Sequence, residues 1–177
     1  MEQATETAPW RVVGRGLTAG LAGTAAMTLL QTTVAARIPS GTPRRPPREP
    51  GEPQAKDENT TETTARRFVE GFAHRHLPAW LRPAAGYAVH FATGAALGAL
   101  LALFVPRPKW WEGLAFGAAA WLVDDDFLVP LLKLGDWPNH YAFGTHAKSL
   151  SSHLAYGIGT ALALDGVTAL SEIATTE

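Results

Sequence analysis

The chain has 177 residues, a formal net charge of −1, no cysteine, 46% hydrophobic residues and 18% charged residues. That is the length of one domain. A near-neutral balance supplies no field to attract nucleic acid, and the lack of cysteine excludes disulfides, thiolate metal sites, iron–sulfur clusters and cysteine nucleophiles.

The charge is unevenly spread. Of the 31 charged residues, 15 lie between Arg37 and Arg82, so a charged insert separates strongly apolar pieces. Residues 1–13 read as a tail. The first uncharged run, Gly16 to Ala36, is 21 residues bounded by Arg15 and Arg37. At about 1.5 Å per helical residue it reaches the roughly 30 Å of a bilayer core, which predicts a first transmembrane helix over 14–38. Arg11 and Arg15 ahead of it and the small residues at Val34-Ala35-Ala36 also fit a cleavable signal peptide, although the run is longer than a usual signal core. Gly16, Gly20 and Gly23 share one helix face, a pattern that suits close packing.

Residues 39–58 hold six prolines and alternating charges, a composition that favours extended, solvated chain and reads as a disordered linker. Over 59–82 the spacing of Ala65, Phe68, Val69 and Phe72 opposite Arg66, Arg67, Glu70 and Arg75 predicts an amphipathic helix, on a membrane surface or over the bundle. The second run, Pro83 to Pro106, is uncharged for 24 residues and has Trp80 before it and Arg107 and Lys109 after it; it predicts a second span over 83–106. A third span is expected over 110–134, opening at Trp110-Trp111, but its uncharged part, Gly113 to Val123, is only 11 residues. It can cross only if Asp124, Asp125 and Asp126 face protein or water rather than lipid. After a loop over 135–144, a fourth span is expected over 145–170, built on the 16 uncharged residues Ser149 to Leu164 and followed by a tail over 171–177. The five-residue connection between the second and third spans predicts that those two pack as antiparallel neighbours. Counting basic residues alone favours a cytoplasmic insert.

An ionisable side chain within an apolar span is costly unless paired or hydrated, so such residues are candidates for function. They are His90, Asp124, Asp125, Asp126, His146 and His153. Three consecutive aspartates sweep about 200° of an α-helix and cannot all face one way. Asp124 lies about 21 Å along the axis from Trp110. Pro130 removes the helical partner of the Asp126 carbonyl and predicts a kink. Gly86, His90, Gly94 and Gly98 are four apart, which sets His90 in a groove of glycines; His146, Ser149, His153, Tyr156 and Thr160 form one stripe. The expected site is an intramembrane polar cluster of His90, Asp125, Asp126, His146 and His153. Gly16, Gly20, Gly23, Gly94, Gly98, Gly117 and Gly157 are the expected helix-packing positions. His90, His153 and Asp126 are also candidate ligands for a divalent metal.

The run from His90-Phe91-Ala92-Thr93-Gly94 through Gly98, then Trp110 to Gly117, Trp121-Leu122-Val123-Asp124-Asp125-Asp126 with Pro130, Tyr141, Thr145-His146 and His153-Leu154-Ala155-Tyr156-Gly157 resembles the YagU-like family of bacterial inner-membrane proteins of unknown function. The likeness covers Gly86 to Gly159, and Gly14 to Ala36 more loosely. Sequences of that kind carry an Ala-Asp-Glu-like triplet before the proline, so Asp125 and Asp126 match acidic positions and Asp124 departs. The resemblance implies a multi-pass protein of the bacterial inner membrane and no reaction.

The expected fold is therefore an all-α integral membrane four-helix bundle with a proline-rich insert and a short amphipathic helix. The expected partners are the lipid bilayer and, through the small-residue faces, a second copy of the chain; nucleic acid is not expected. No phosphate-binding loop, dinucleotide fingerprint, His-Glu-x-x-His or nucleophile elbow is present, so no catalytic residue is assigned and no motif requires a cofactor. Three functions are compatible with the residues. One is a proton or small-solute pathway through the cluster. A second is a membrane scaffold or stress-tolerance factor in which the cluster only packs helices, and the third is a metal-dependent membrane enzyme.

Overall fold

The structure, a computed structural model, describes residues 8–37, Pro39 and 59–173. Among these residues all regular structure is helical, with no strand. Helix α1 spans Pro9–Thr33, α2 Thr60–Phe72, α3 Arg82–Phe104 and α4 Trp110–Trp121. From α4 the chain continues into a π-helical stretch, Leu122–Leu128, and a single turn, α5, Val129–Leu131; α6 covers Phe143–Ile173. The linker expected over 39–58 lies outside the described residues apart from Pro39, as do residues 1–7 and 174–177 of the tails.

Two helical segments, Ala79–Phe104 and Phe143–Ile173, are long and apolar enough to cross a membrane. α1 starts earlier than the expected boundary at 14, because Pro9 sits at the first helical position, where its fixed φ suits the helix and its missing N–H costs nothing. Arg11 and Arg15 are thus helical. α2 ends well short of 82: the chain turns at His74, whose φ is 49°, and Pro78 follows.

The long helices lie in the order α3, α1, α6, α4, and each runs antiparallel to its neighbour. Gly16 sits beside Gly98 and Gly20 beside Gly94; Gly23 sits beside Thr160; Gly113 sits beside Gly157 and Gly117 beside His153. The expected packing of the second span on the third is corrected here. α3 packs along α1 and α2, and α4 along α6. Pro106 and Pro108 favour extended backbone in the connection, so it links the two helices without drawing them together, and the glycine face of α4 is committed to α6.

These seams are backbone against backbone. A Cβ on Gly16 would lie 2.5 Å from the Ala99 Cα, one on Gly98 2.5 Å from the Gly20 Cα, and one on Gly113 2.5 Å from the Gly157 carbonyl oxygen. Gly20 against Gly94, Gly117 against His153 and Gly157 against Gly113 approach as tightly, while Gly23 and Gly94 meet the hydroxyls of Thr160 and Thr24. The small-residue faces expected to serve packing within the chain or between copies are therefore occupied within the chain.

Buried hydroxyls are satisfied locally. Thr24 donates to the Gly20 carbonyl at 2.8 Å, Thr160 to Tyr156 at 2.8 Å and Ser152 to Lys148 at 2.9 Å, so they pack as small residues, and a separate apolar cluster is formed by Ala19, Leu101, Ala102 and Leu164. Where the α3–α4 connection meets the end of α6, Arg107 is hydrogen-bonded to Glu172, which raises the guanidinium further above its ordinary value.

Gly157→Ala should cost about 1–3 kcal/mol of stability, since the obstructing atoms are backbone. Gly166→Ala, where nothing lies within 4 Å of the added carbon, should be neutral or stabilise by up to about 1 kcal/mol. Thermal unfolding of the detergent-purified variants checks both; equal effects would contradict the seam.

Candidate functional site

Because α3 and α4 do not pack on each other, a cavity of about 640 Å³ opens between α3 and the π-helical continuation of α4. His90, Tyr87 and Leu97 of α3 line one wall, and Asp124, Asp125 and Leu128 of the π-helical stretch line the other. Thr24 and Met27 of α1 and His153 and Tyr156 of α6 close the base. The first turn of α2 covers a further side with Thr60, Thr61 and Glu62.

The π-helical stretch explains how the acids are presented. A regular α-helix would ask residue 130 for an N–H to the Asp126 carbonyl, and proline has none. Upstream, the ladder has already slipped by one residue: the Val129 N–H bonds the Asp124 carbonyl, five back. The Leu134 N–H repeats that spacing onto Val129 at 2.9 Å. In place of the expected simple kink at Pro130, there is an inserted residue's worth of turn over the three aspartates. Such bulges re-aim the side chains they carry and are frequent at functional sites.

The expected cluster of His90, Asp125, Asp126, His146 and His153 is split in two. His90, Asp125 and His153 line the cavity, together with Asp124, which was not expected in the cluster. Asp126 turns instead to His146, with Oδ1 3.8 Å from Nδ1, and His146 Nε2 donates to the Pro138 carbonyl at 2.9 Å. This second pair joins α6 to the loop before it, where the Tyr141 hydroxyl accepts from the Asp136 N–H at 2.9 Å. Asp126 is thus not with His90 and His153 as a metal set would need, and among the described residues no group of three or more His, Asp or Glu side chains could hold a metal ion.

Within the cavity the hydrogen bonds assign the tautomers. Ser149 donates its hydroxyl to Asp125 Oδ2, and its carbonyl accepts from His153 Nδ1 at 3.0 Å. His153 Nδ1 lies 4.0 Å from the same carboxylate oxygen. With Nδ1 carrying the proton, Nε2 of His153 presents a lone pair. Thr28 donates its hydroxyl proton to the Thr24 carbonyl at 2.8 Å, so its oxygen accepts from His90 Nε2 at 3.3 Å. The Tyr156 hydroxyl donates to the Gly94 carbonyl at 2.7 Å, across the glycine groove.

α2 is fixed over this site by polar bonds. Asn59 caps it, accepting from the Glu62 N–H at 2.9 Å. Arg67 donates to the Leu132 and Lys133 carbonyls, both at 2.8 Å, so it ties α2 to the end of α5. Amphipathicity located α2 in the sequence; the arginine's target, two carbonyls freed where a helix ends, had no sequence signal. Trp121 had no role assigned from the sequence beyond the resemblance: its indole N–H is buried with no hydrogen-bond partner among the described residues, next to the His146 ring at 6.2 Å between centroids.

No family model, curated protein or solved structure matches this chain. The YagU-like resemblance accordingly gains no support from these comparisons.

Two outcomes follow from the bonds described. Arg67→Ala should speed amide hydrogen exchange across Thr60–Phe72 while leaving α1 unchanged; unchanged exchange in α2 would mean the arginine does not hold it. Trp121→Phe removes a buried donor that has no partner, and its melting temperature in detergent should equal or exceed that of the wild type, because an unsatisfied polar group costs about 1–3 kcal/mol; a clear fall would place a partner on the indole.

Proposed function

We propose that the chain is a multi-pass protein of the bacterial inner membrane, with α1, α3, the α4–α5 unit and α6 as four crossings. In this reading the cavity is a binding stop on a proton or small-solute pathway. The tryptophans support the membrane part. Trp10, Trp80, Trp110, Trp111 and Trp137 are all exposed and stand at the starts of alternating helices. Given the antiparallel order, they form one belt with Trp10 and the Trp110-Trp111 pair and another with Trp80 and Trp137, as interfacial anchors do. Between the belts many outward residues are apolar, among them Leu17, Leu21, Leu100, Leu103 and Leu162.

A single observation carries the pathway part: Asp124, Asp125, His90 and His153 share one cavity, and His90 stands about 15 Å along its helix from Trp80, well inside the span between the two belts. Carboxylates and imidazoles are costly there, and imidazole exchanges protons near neutral pH. A scaffold reading is favoured by the internal satisfaction of Asp125 by Ser149 and of Tyr156 by Gly94; it leaves Asp124, which has no hydrogen bond among the described residues, unexplained.

In liposomes with an imposed pH gradient, the reconstituted protein should speed the gradient's decay several-fold, and Asp125→Asn should abolish the gain while Asp126→Asn retains it. Decay equal to that of empty liposomes would contradict the pathway and favour the scaffold.

A further inference from the structure

The cavity's chemistry specifies the kind of molecule it suits. Resting on the reading of the cavity as a binding stop, we propose that its ligand is a protonated amine with an apolar body, a small amphiphilic monocation.

Charge is the first argument. The lining contains three carboxylates, those of Asp124, Asp125 and Glu62, and no lysine or arginine. Asp124 is half-buried, and its carboxylate makes no hydrogen bond among the described residues. An ionised carboxylate held away from water needs a counter-charge, and the lining offers it only imidazole, with no lysine or arginine. Asp126, which faces away from the cavity, has His146.

Hydrogen bonding is the second. His153 is only 8% exposed, its Nδ1 proton is committed to the Ser149 carbonyl, and its Nε2 lone pair has no partner among the described residues. Ser149 spends its one hydroxyl proton on Asp125. Around Ser149 the cavity therefore offers a ligand's donors three acceptors, the carboxylates of Asp124 and Asp125 and the Nε2 of His153. A protonated amine brings N–H groups and the opposite charge together, and charge-assisted hydrogen bonds are the strong ones. A quaternary ammonium has charge without N–H, and an anion would meet three like charges.

The walls supply the third argument. Met27, Leu97, Leu128 and Val129 give an apolar surface next to the acids, and about 640 Å³ falls within the volume of sites for small organic molecules. A bare metal ion would leave that surface unused, and no metal-holding group is present among the described residues.

The test is equilibrium binding to the full-length protein in detergent, using 3-phenylpropylamine as the probe. Its trimethylammonium analogue, 3-phenylpropanol and 4-phenylbutyrate serve as cationic, neutral and anionic comparisons. The amine should bind; the quaternary analogue should bind about tenfold or more weakly, and the alcohol and the carboxylate more weakly still. Asp124→Asn and Asp125→Asn should each weaken the amine about tenfold or more; asparagine at 125 still accepts from Ser149, which protects the fold. Leu97→Trp and Val129→Trp, which fill the cavity without touching its charge, should abolish binding, with circular dichroism melts confirming that the variants are folded.

Failure separates into two kinds. If folded cavity-filling variants abolish binding but the alcohol binds as well as the amine, or both asparagine variants bind unchanged, the cavity stands and the cationic ligand is overturned. If the amine binds equally to the filled variants, or does not bind at millimolar concentration, the cavity is not its site and the proposal falls.

Discussion

Backbone-to-backbone contact at glycine is the constraint on which the rest of this molecule depends. α1 can touch α3 and α6 at once only because Gly16, Gly20 and Gly23 present no side chain to either. α6 then holds α4 through Gly113, Gly117 and Gly157. Between apolar helices, the close approach of small residues gives dispersion contact that does not depend on expelling water. The price is specificity of order: once the glycine faces of α1, α3, α4 and α6 are used, α3 and α4 have no complementary faces left to close on each other. The cavity is the space that this order leaves.

Within that space, polar groups are arranged by a local backbone event rather than by tertiary packing alone. The slip of the ladder before Pro130 separates three consecutive carboxylates into two uses. Asp124 and Asp125 are given to the cavity, and Asp126 is given to His146 and the loop ahead of α6. Ser149 then works in both directions, donating to Asp125 and accepting from His153, which fixes one imidazole with its lone pair exposed. α2, held by Arg67 to the end of α5, completes the enclosure from the side where the chain would otherwise be open.

Much of this was legible in the sequence, for identifiable reasons. Spacing of four between Gly86, His90, Gly94 and Gly98 places the histidine in a close-packing groove, and His90 indeed reaches Thr28 across the α1–α3 seam. The cost of charge in apolar surroundings singled out the aspartates and histidines before any geometry was known. Helix partners were not legible: a five-residue connection argues for neighbours, but glycine faces decide partnership, and which face meets which is a property of the assembled helices. The division of the aspartates was also hidden, because an α-helical wheel assigns Asp124 and Asp126 by 100° steps and a π-helical stretch does not obey it. Proline at 130 marked the place without giving the form of the disturbance.

The chain's lack of native cysteine allows the most direct measurement of the central claim, that an open, polar-lined cavity separates α3 from the π-helical stretch inside a membrane. Single substitutions Thr93→Cys and Leu128→Cys, both on the cavity lining, and Leu103→Cys, on the outward apolar surface, would be reacted in intact membranes with a small, charged, water-borne thiol reagent. The first two should be labelled readily and the third scarcely. Equal protection at all three positions would mean that the helices close and no cavity exists; equal labelling would mean that the outward face meets water and the helices do not cross a bilayer.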